Sequence, residues 1–522
     1  MFLSFCLKAQ TGNLPNVLLV IADDVGVDMI NGYGFGGLKP TTPTLDSLRG
    51  VGVTFENCWS APVCTPTRAS IMSGKHGIKT NVTKAPGNLD LVHTSLFNSL
   101  PVSYSSAVVG KWHVSFPLDT AHPTQHGVDY YSGIMEGAVS NYRNWDRLEA
   151  GVSVTDTNYV STVFTDKSLA WINGKTEPWL LWLAHVAPHT PIHTPPANMY
   201  SINAVGSNYR KYVAMIESFD YELNRIIQSI PDSVLENTVI IVLGDNGTPG
   251  NMLQDYPAGH GKNTLYEGGV RVPMVIAGKT VNRKGEREKA MVHVTDLYST
   301  ILDLAGVEQD GGQHNSLSFV HLLNSSTISD APTRDYNYVE LESTINGFAI
   351  REKRYKLIQF QDGTQEFYDL SIDSLEFNNI IATLSAEQTE IKTDLEKEAT
   401  AIRSDWSCRD HIKNGDEKEI DCGGSICEPC ETSIEEISDA SWSFYPNPVA
   451  ETLIIEYSAR TEEVMHIEVF ALNGGLLLQE EWAQENSKIE LNLSQLGAQE
   501  LLIVIKNSSG QVVQSKTVVK GE

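Results

Sequence analysis

From Asn16 to about Ala305, short runs of consecutive apolar residues alternate with stretches whose apolar positions recur every three to four residues. NVLLVIADD is an unbroken apolar run that ends in two carboxylates, and NTVIIVLGDNG, Asn237 to Gly247, repeats that design far downstream. Trp179–Ala184 is a third such run. Unbroken runs of this length predict strands buried on both faces. Between them, Val213, Ile216, Phe219, Leu223, Ile226 and Ile230 fall at helical spacing, and Pro231 supplies the stop. Strands alternating with amphipathic helices predict an α/β fold with a large, mostly parallel sheet flanked by helices. In such sheets chemistry gathers beyond the carboxyl ends of the strands, where both acidic clusters fall.

From about Pro332 the pattern changes. NYVELES, GFAIREKRYKLIQF and TQEFYDL read as strands of a small antiparallel subdomain, followed by a helix near Ala386–Ile402. A cysteine-rich insert and a polar linker come next, and SFYPNPVAETLIIEYS opens an all-β unit. There Met465, Ile467 and Val469 alternate with polar residues, as do Ile489, Leu491 and Leu493. Turn signals at Asn473-Gly474 and Ser509-Gly510 separate the strands, which predicts a small β-sandwich. The expected boundaries are 1–12 for a leader remnant, 13–331 for the α/β domain and 332–405 for the antiparallel subdomain. Residues 406–431 form the cysteine-rich spacer, 432–443 the linker and 444–522 the sandwich.

A net charge of −27, from 38 basic and 65 acidic residues, argues against nonspecific binding to nucleic acid or anionic membranes. An anionic substrate would have to be attracted locally, by a metal or a few cations. No apolar run approaches the ~20 residues that span a bilayer. MFLSFCLKAQ is apolar and then small-polar without a basic start, and reads as a signal-peptide remnant. A lipid anchor on Cys6 is disfavoured by the bulk of Phe5 before it. Cys408, Cys422, Cys427 and Cys430 are spaced C-x13-C-x4-C-x2-C. They predict two disulfides in an exported protein, or a zinc site in a cytosolic one.

The candidate chemistry sits at strand ends. Asp23, Asp24, Asp245 and Asn246 offer hard oxygen ligands suited to Ca²⁺ or Mg²⁺ rather than zinc, although single strand-end aspartates also cap helices. GKWH supplies Lys111 and His113, APHTP supplies His189, and GHGK supplies His260 and Lys262. His185 and His193 flank His189, and composition does not choose among the three. In APVCTPTRASIMSGK, Cys64 precedes a helix-like run, so an anion there would meet the positive end of a helix. A thiolate nucleophile and a local disulfide with Cys58 are both open at this point.

C-x-P-x-R followed by ASIMSGK resembles the signature of type I, formylglycine-dependent sulfatases of the alkaline phosphatase superfamily. The similarity runs from about Asn16 to Asn379, with IADD, CTPTR, GKWH, APHTP, GDNG and GKNTLYEGGVRVP in family order. Thr67 stands where many members have serine. The resemblance implies an alkaline phosphatase-like fold and oxidation of Cys64 to formylglycine by a maturation enzyme that reads Pro66 and Arg68. It implies Ca²⁺, with Mg²⁺ second, held by Asp23, Asp24, Asp245, Asn246 and the modified Cys64. Arg68 would brace the aldehyde hydrate, Lys111 and His113 would contact it, and His189 and Lys262 would grip the sulfate and the leaving oxygen. One hydroxyl of the hydrate would attack sulfur, and the other, deprotonated by His113, would expel sulfate.

The implied activity is that of a secreted sulfuric ester hydrolase acting on a sulfated polysaccharide, oligosaccharide or aryl sulfate. Two readings stay beside it: a phosphodiester or phosphonate monoester hydrolase of the same superfamily, and a non-catalytic surface protein that binds sulfated glycans. FYPNPVAETLIIEY resembles the sorting domain of the type IX secretion system, which implies export across the outer membrane of a Gram-negative bacterium. A carbohydrate-binding or spacer sandwich is the alternative. The cysteine-rich insert resembles a disulfide-knit spacer of exported proteins, with NGDEKEID as a solvated or calcium-binding loop. Specificity residues have no motif; Ser140–Arg147 and His314 are candidates.

Overall fold

The computed structural model describes residues 14–307, 315–324, 333–343, 346–404, 442–457, 465–471, 476–482, 488–497, 499–507 and 512–521. The leader remnant, His314, nearly all of the linker, and the cysteine-rich spacer with its four cysteines lie outside the described residues. The chain divides into two units, Met1–Glu428 and Pro429–Glu522.

The first unit is built on a ten-stranded sheet. Its strands are β1 (Asn16–Ala22), β2 (Gly52–Trp59), β3 (Ser105–Lys111), β4 (Tyr130–Ile134), β5 (Trp145–Glu149), β6 (Val152–Asp156), β7 (Trp179–Ala184), β8 (Thr238–Gly244), β9 (Met274–Gly278) and β10 (Glu286–His293). They lie in the order β10-β2-β9-β8-β1-β7-β3-β4-β5-β6. The central block β8-β1-β7-β3-β4 is parallel throughout, as is β10 with β2. β9 is inserted antiparallel, and β5 and β6 close the other edge antiparallel.

The unbroken apolar runs follow from this position. Successive side chains of a strand point to opposite faces, and here both faces are covered. Val17, Leu19 and Ile21 enter one core with Ile71, Met72, Leu297 and Ile301. Leu18 and Val20 enter the other with Phe164, Ile216 and Leu223. Burying each such side chain contributes roughly 1.5–3 kcal/mol. The predicted helix is Asn208–Ser229, and Ile230 is its last hydrogen-bonded amide before Pro231.

The second sheet, β11 (Asn337–Leu341), β12 (Gly347–Arg351), β13 (Tyr355–Phe360) and β14 (Gln365–Asp369), is antiparallel in sequence order. The predicted helix after it spans Ala386–Ser404 and packs Leu395 and Ala399 on the sheet. The sheet is joined to β2 by a buried ion network. Lys356 lies 2.7 Å from Glu376 and 3.3 Å from Glu267, and Glu267 accepts the Trp59 indole N–H at 3.1 Å.

Glu340 on β11 is also buried, and its Oε1 accepts the Ile78 amide at 2.9 Å. Burial pushes its carboxyl up to about 7. Because the folded pKa lies above the ordinary one, this contribution to stability is complete below about pH 4.5 and is lost as pH rises through about 7. Glu340→Gln keeps the acceptor and removes the charge. In urea melts the variant should match the wild type near about pH 4 and exceed it by up to about 3 kcal/mol near about pH 8.5. A pH-independent difference would show that the carboxyl does not titrate in that window.

Among the described residues the second unit forms a sandwich of seven strands. One sheet orders β15 (Trp442–Tyr445), β16 (Thr452–Tyr457) and β19 (Lys488–Asn492). The other orders β18 (Leu476–Trp482), β17 (Met465–Ala471), β20 (Gln499–Lys506) and β21 (Val512–Lys520). The alternating residues Met465, Ile467, Val469 and Leu491 face its core beside Leu453, Ile455, Ile503 and Ile505.

Candidate active site

The register of β1 and β8 sets Ala22 opposite Gly244, so Asp23, Asp24, Asp245 and Asn246 leave adjacent strands side by side. Asp24 N–H donates to Asp245 Oδ1 at 3.1 Å, and Asp245 N–H donates to the Ala22 carbonyl at 3.1 Å. β3 ends at Lys111, two residues before His113. The loop after β7 carries His189. Cys64 lies at a helix N-terminus as expected, but the helix, Cys64–Ser73, includes it as the first residue rather than beginning after it. Asp24 (φ 69°) and His113 (φ 53°) both hold left-handed backbone, a conformation that costs energy for residues with a Cβ and clusters at functional sites.

The floor is an alternating cluster of charge. Lys111 Nζ is 2.6 Å from Asp23 Oδ2. Arg68 Nη2 is 2.8 Å from Asp245 Oδ2 and 3.8 Å from Asp23 Oδ2, while its Nη1 donates to the Lys111 carbonyl at 2.8 Å. Asn246 Nδ2 donates to Asp24 Oδ1 at 2.8 Å. On the open side Lys262 reaches Asp24 at 2.5 Å, and His189 Nε2 lies 3.9 Å from Asp24 Oδ2. Cys64 Sγ is 3.2 Å from His113 Nδ1, which Thr65 Oγ1 also meets at 3.2 Å. Asp23, Arg68, Asp245 and Asn246 are wholly buried, whereas His113, His189 and Lys262 reach the surface or sit just beneath it.

Electrostatics follow from that burial. Desolvation alone would raise Asp24, but Lys262 and His189 outweigh it and hold the carboxyl at about 2. Burial raises Asp245, and the charge of Asp23 adds to the effect against Arg68. Burial opposes the charge on Lys111, Arg68 and Lys262, yet the facing carboxylates raise all three. His113 is pushed down to about 2 by burial and then by Lys111 and Arg68, so its imidazole is neutral.

The donor set fits a hard cation. Asp23 Oδ1 and Asn246 Oδ1 are buried without a protein hydrogen-bond partner, an expensive arrangement unless something else binds them. Ligand atoms of Asp23, Cys64 and Asp245 lie within 4.8 Å of one another, as do those of Asp23, Asp24 and His189. Asp23, Asp24 and Asp245 already face three cations, so a bound dication would leave the floor net positive, complementary to an anionic ester.

Other candidates fall elsewhere. Cys58 and Cys64 are both free thiols, and the local disulfide between them does not form. Cys58 instead packs in the core, 3.9 Å from Met274 Sδ, where burial pushes its thiol far up. The strand-end aspartates meet cations and backbone amides rather than capping helices. His260 stacks on Tyr266 at 3.6 Å. His185 is sealed among apolar rings, 5.5 Å from Phe219, and held down to about 3 by burial. Tyr142, inside the Ser140–Arg147 stretch, donates its hydroxyl to the His189 carbonyl at 2.7 Å; Tyr212, which no sequence signal marks, donates its hydroxyl to the Asp24 carbonyl. A 610 Å³ groove lined by Pro43, Leu48 and Tyr221 holds none of these side chains.

The large mixed sheet covered by helices on both faces is an alkaline phosphatase-like fold. Residues 15–307 match the family model described as Sulfatase, more than half of the chain, and this protein belongs to the sulfatase family. Residues 259–405 match N-sulphoglucosamine sulphohydrolase, C-terminal, and residues 443–520 match a secretion system C-terminal sorting domain. Mouse (Mus musculus) Arylsulfatase J is 29% identical over 318 residues, which are 56% of this chain and 52% of that protein. The chain thus spans about half to just under two thirds of the length of the curated relatives it matches first. Its fold resembles the crystal structure of Ps i-CgsB in complex with k-i-k-neocarrahexaose, with TM-score 0.65, 22% identity, and coverage of 77% of this chain and 94% of that one. It also resembles the phosphonate monoester hydrolase of Agrobacterium radiobacter, with TM-score 0.59, 18% identity, and coverage of 75% and 96%.

Proposed function

We propose that this protein hydrolyses sulfate monoesters on a sulfated polysaccharide or oligosaccharide, using formylglycine made from Cys64 and a Ca²⁺ ion. One observation carries the reading. Cys64 heads a buried helix with its Sγ 3.2 Å from a neutral histidine and within 4.8 Å of Asp23 and Asp245. A structural cysteine needs none of those neighbours. Asp23, Asp24, Asp245, Asn246 and the modified residue would hold the cation, which supplies charge neutralisation at the sulfate oxygens. The hydrated aldehyde supplies two hydroxyls on one carbon, one to attack sulfur and one to expel sulfate afterwards.

The chain's own residues do the rest. His113 Nδ1 accepts a proton from the hydroxyl that replaces the thiol. Arg68 and Lys111, fixed by Asp245 and Asp23, offset negative charge as it builds, and they need no reorganisation to do so. Lys262 and His189, on the open side, face the ester oxygen. As the sulfur–oxygen bond breaks, one of them delivers the proton that the departing alcohol requires. The overall change consumes one water and yields an alcohol and inorganic sulfate.

The sorting-domain match supports export by a type IX system across an outer membrane. Among the described residues no helix is long and apolar enough to cross a membrane. The proposed organisation keeps the catalytic region at 13–331 and its antiparallel subdomain at 332–405. A disulfide spacer at 406–431, with Cys408, Cys422, Cys427 and Cys430 paired, leads through the linker to the sorting domain at 444–522.

The test is a parallel assay of matured protein on aryl sulfate, sulfated oligosaccharides, a phosphodiester and a phosphonate monoester. The sulfate esters should turn over fastest. A dominant phosphonate rate would reverse the assignment, and tight binding of sulfated glycan with no turnover would make the protein a binder.

A further inference from the structure

Beside His189 stands a wall that the reaction does not use. Tyr142 fixes the His189 carbonyl, and its ring stacks on Tyr159 with centroids 5.8 Å apart. His193 is wedged between them, 4.1 Å from Tyr142 and 5.6 Å from Tyr159. His193 Nδ1 lies 2.9 Å from the Pro191 carbonyl, which can only accept, so Nδ1 carries the hydrogen. Nε2 then accepts from the Tyr159 hydroxyl at 3.1 Å. Every polar tip in this wall is occupied, and both tyrosines are buried, so their rings offer no free face for a sugar.

The wall acts as a scaffold for Arg143. The Arg143 guanidinium lies 5.7 Å from the Tyr159 ring centre, and its backbone is set by a 2.7 Å hydrogen bond from its amide to Asn141 Oδ1. The residue is exposed, and among the described residues no carboxylate lies within 4.0 Å of it. In a chain of 65 acidic and 38 basic residues, an arginine held on an aromatic face without a carboxylate is a cation kept available. The floor cations Arg68, Lys111 and Lys262 are each committed to Asp245, Asp23 or Asp24.

We infer that Arg143 binds a second oxyanion of the substrate, a carboxylate or sulfate on the same sugar or its neighbour, while the first sulfate occupies the floor beside Cys64. The inference rests on the sulfatase reading of the site and narrows its substrates to polyanionic glycans. A planar guanidinium suits either oxyanion through two parallel hydrogen bonds, which a lysine does not reproduce.

The experiment compares matured wild type, Arg143→Ala and Arg143→Lys on a monosulfated neutral disaccharide, its disulfated form and a monosulfated disaccharide containing a uronate. The ratio of kcat/KM for each dianionic probe over the monoanionic one should fall about tenfold to a hundredfold in Arg143→Ala, chiefly through KM, with partial recovery in Arg143→Lys. Loss for the disulfated probe alone, or the uronate probe alone, identifies which oxyanion is read. An unchanged ratio for both overturns the inference. Calorimetric binding of the same sugars to unmodified protein separates this from the sulfatase reading. If no sulfate ester is turned over, a preference for dianionic sugars that Arg143→Ala abolishes still supports the subsite, and equal binding of all three refutes it.

Discussion

Cys64→Ala will show no multiple turnover on para-nitrophenyl sulfate, a loss on the order of 10⁵-fold or more in kcat, as expected when a nucleophile is removed. The fold should survive, because trading a small buried thiol for a methyl leaves little empty space; the expected cost is about 1 kcal/mol. No nearby group can substitute. The neighbouring hydroxyl, Thr65 Oγ1, already meets His113 Nδ1, and it lies one residue along the helix from Cys64. Cys64→Ser separates attack from release. A serine has one oxygen on Cβ, so it can take up sulfate once but has no second hydroxyl to expel it. Stopped-flow release of para-nitrophenol should therefore show at most one equivalent and then nothing. Sustained wild-type turnover in the serine variant would reject the two-hydroxyl cycle.

Exhaustive chelation should lower activity by about 10³-fold or more, with Ca²⁺ restoring it, because the floor would lose the charge that faces the sulfate oxygens. Asp245→Asn should reproduce that loss and also damage the fold. Arg68 is wholly buried and pairs with Asp245 at 2.8 Å; stranding its charge costs about 3–5 kcal/mol. Asp24→Asn should cost the same activity with a smaller loss of stability, about 1 kcal/mol, since Lys262 lies at the open side and can take up water instead. Urea midpoints and calorimetric Ca²⁺ titration of the two variants check the contrast. Equal destabilisation by both would show that the buried position of Arg68 does not govern the difference.

Much of this arrangement is legible in the chain because the determinants are local. NVLLVIADD and NTVIIVLGDNG declare buried parallel strands and place their carboxylates at the ends, and strand register then makes Asp23, Asp24, Asp245 and Asn246 converge. The position of Cys64 at a helix start follows from the residues after it. What the sequence conceals is long-range. In HVAPHTPIH only the family resemblance singles out His189; composition does not distinguish His185, His189 and His193, since burial among Phe164 and Phe219, approach to Asp24, and wedging between two tyrosines are decided by other segments. Arg143 falls in the Ser140–Arg147 stretch, but no motif singles it out: its reading depends on Tyr159 beneath it and on the lack, among the described residues, of a carboxylate beside it. The antiparallel β9 inside the sheet is hidden for a related reason, because MVIAG is as apolar as its parallel neighbours.

The most direct test is the mass of the peptide containing residue 64, measured in protein whose specific activity is known. Conversion of the thiol to an aldehyde lowers that mass by about 18 Da. The converted fraction should rise in proportion to activity across preparations made with and without a maturation enzyme. Fully active protein whose residue 64 retains an intact thiol would contradict the account at its root.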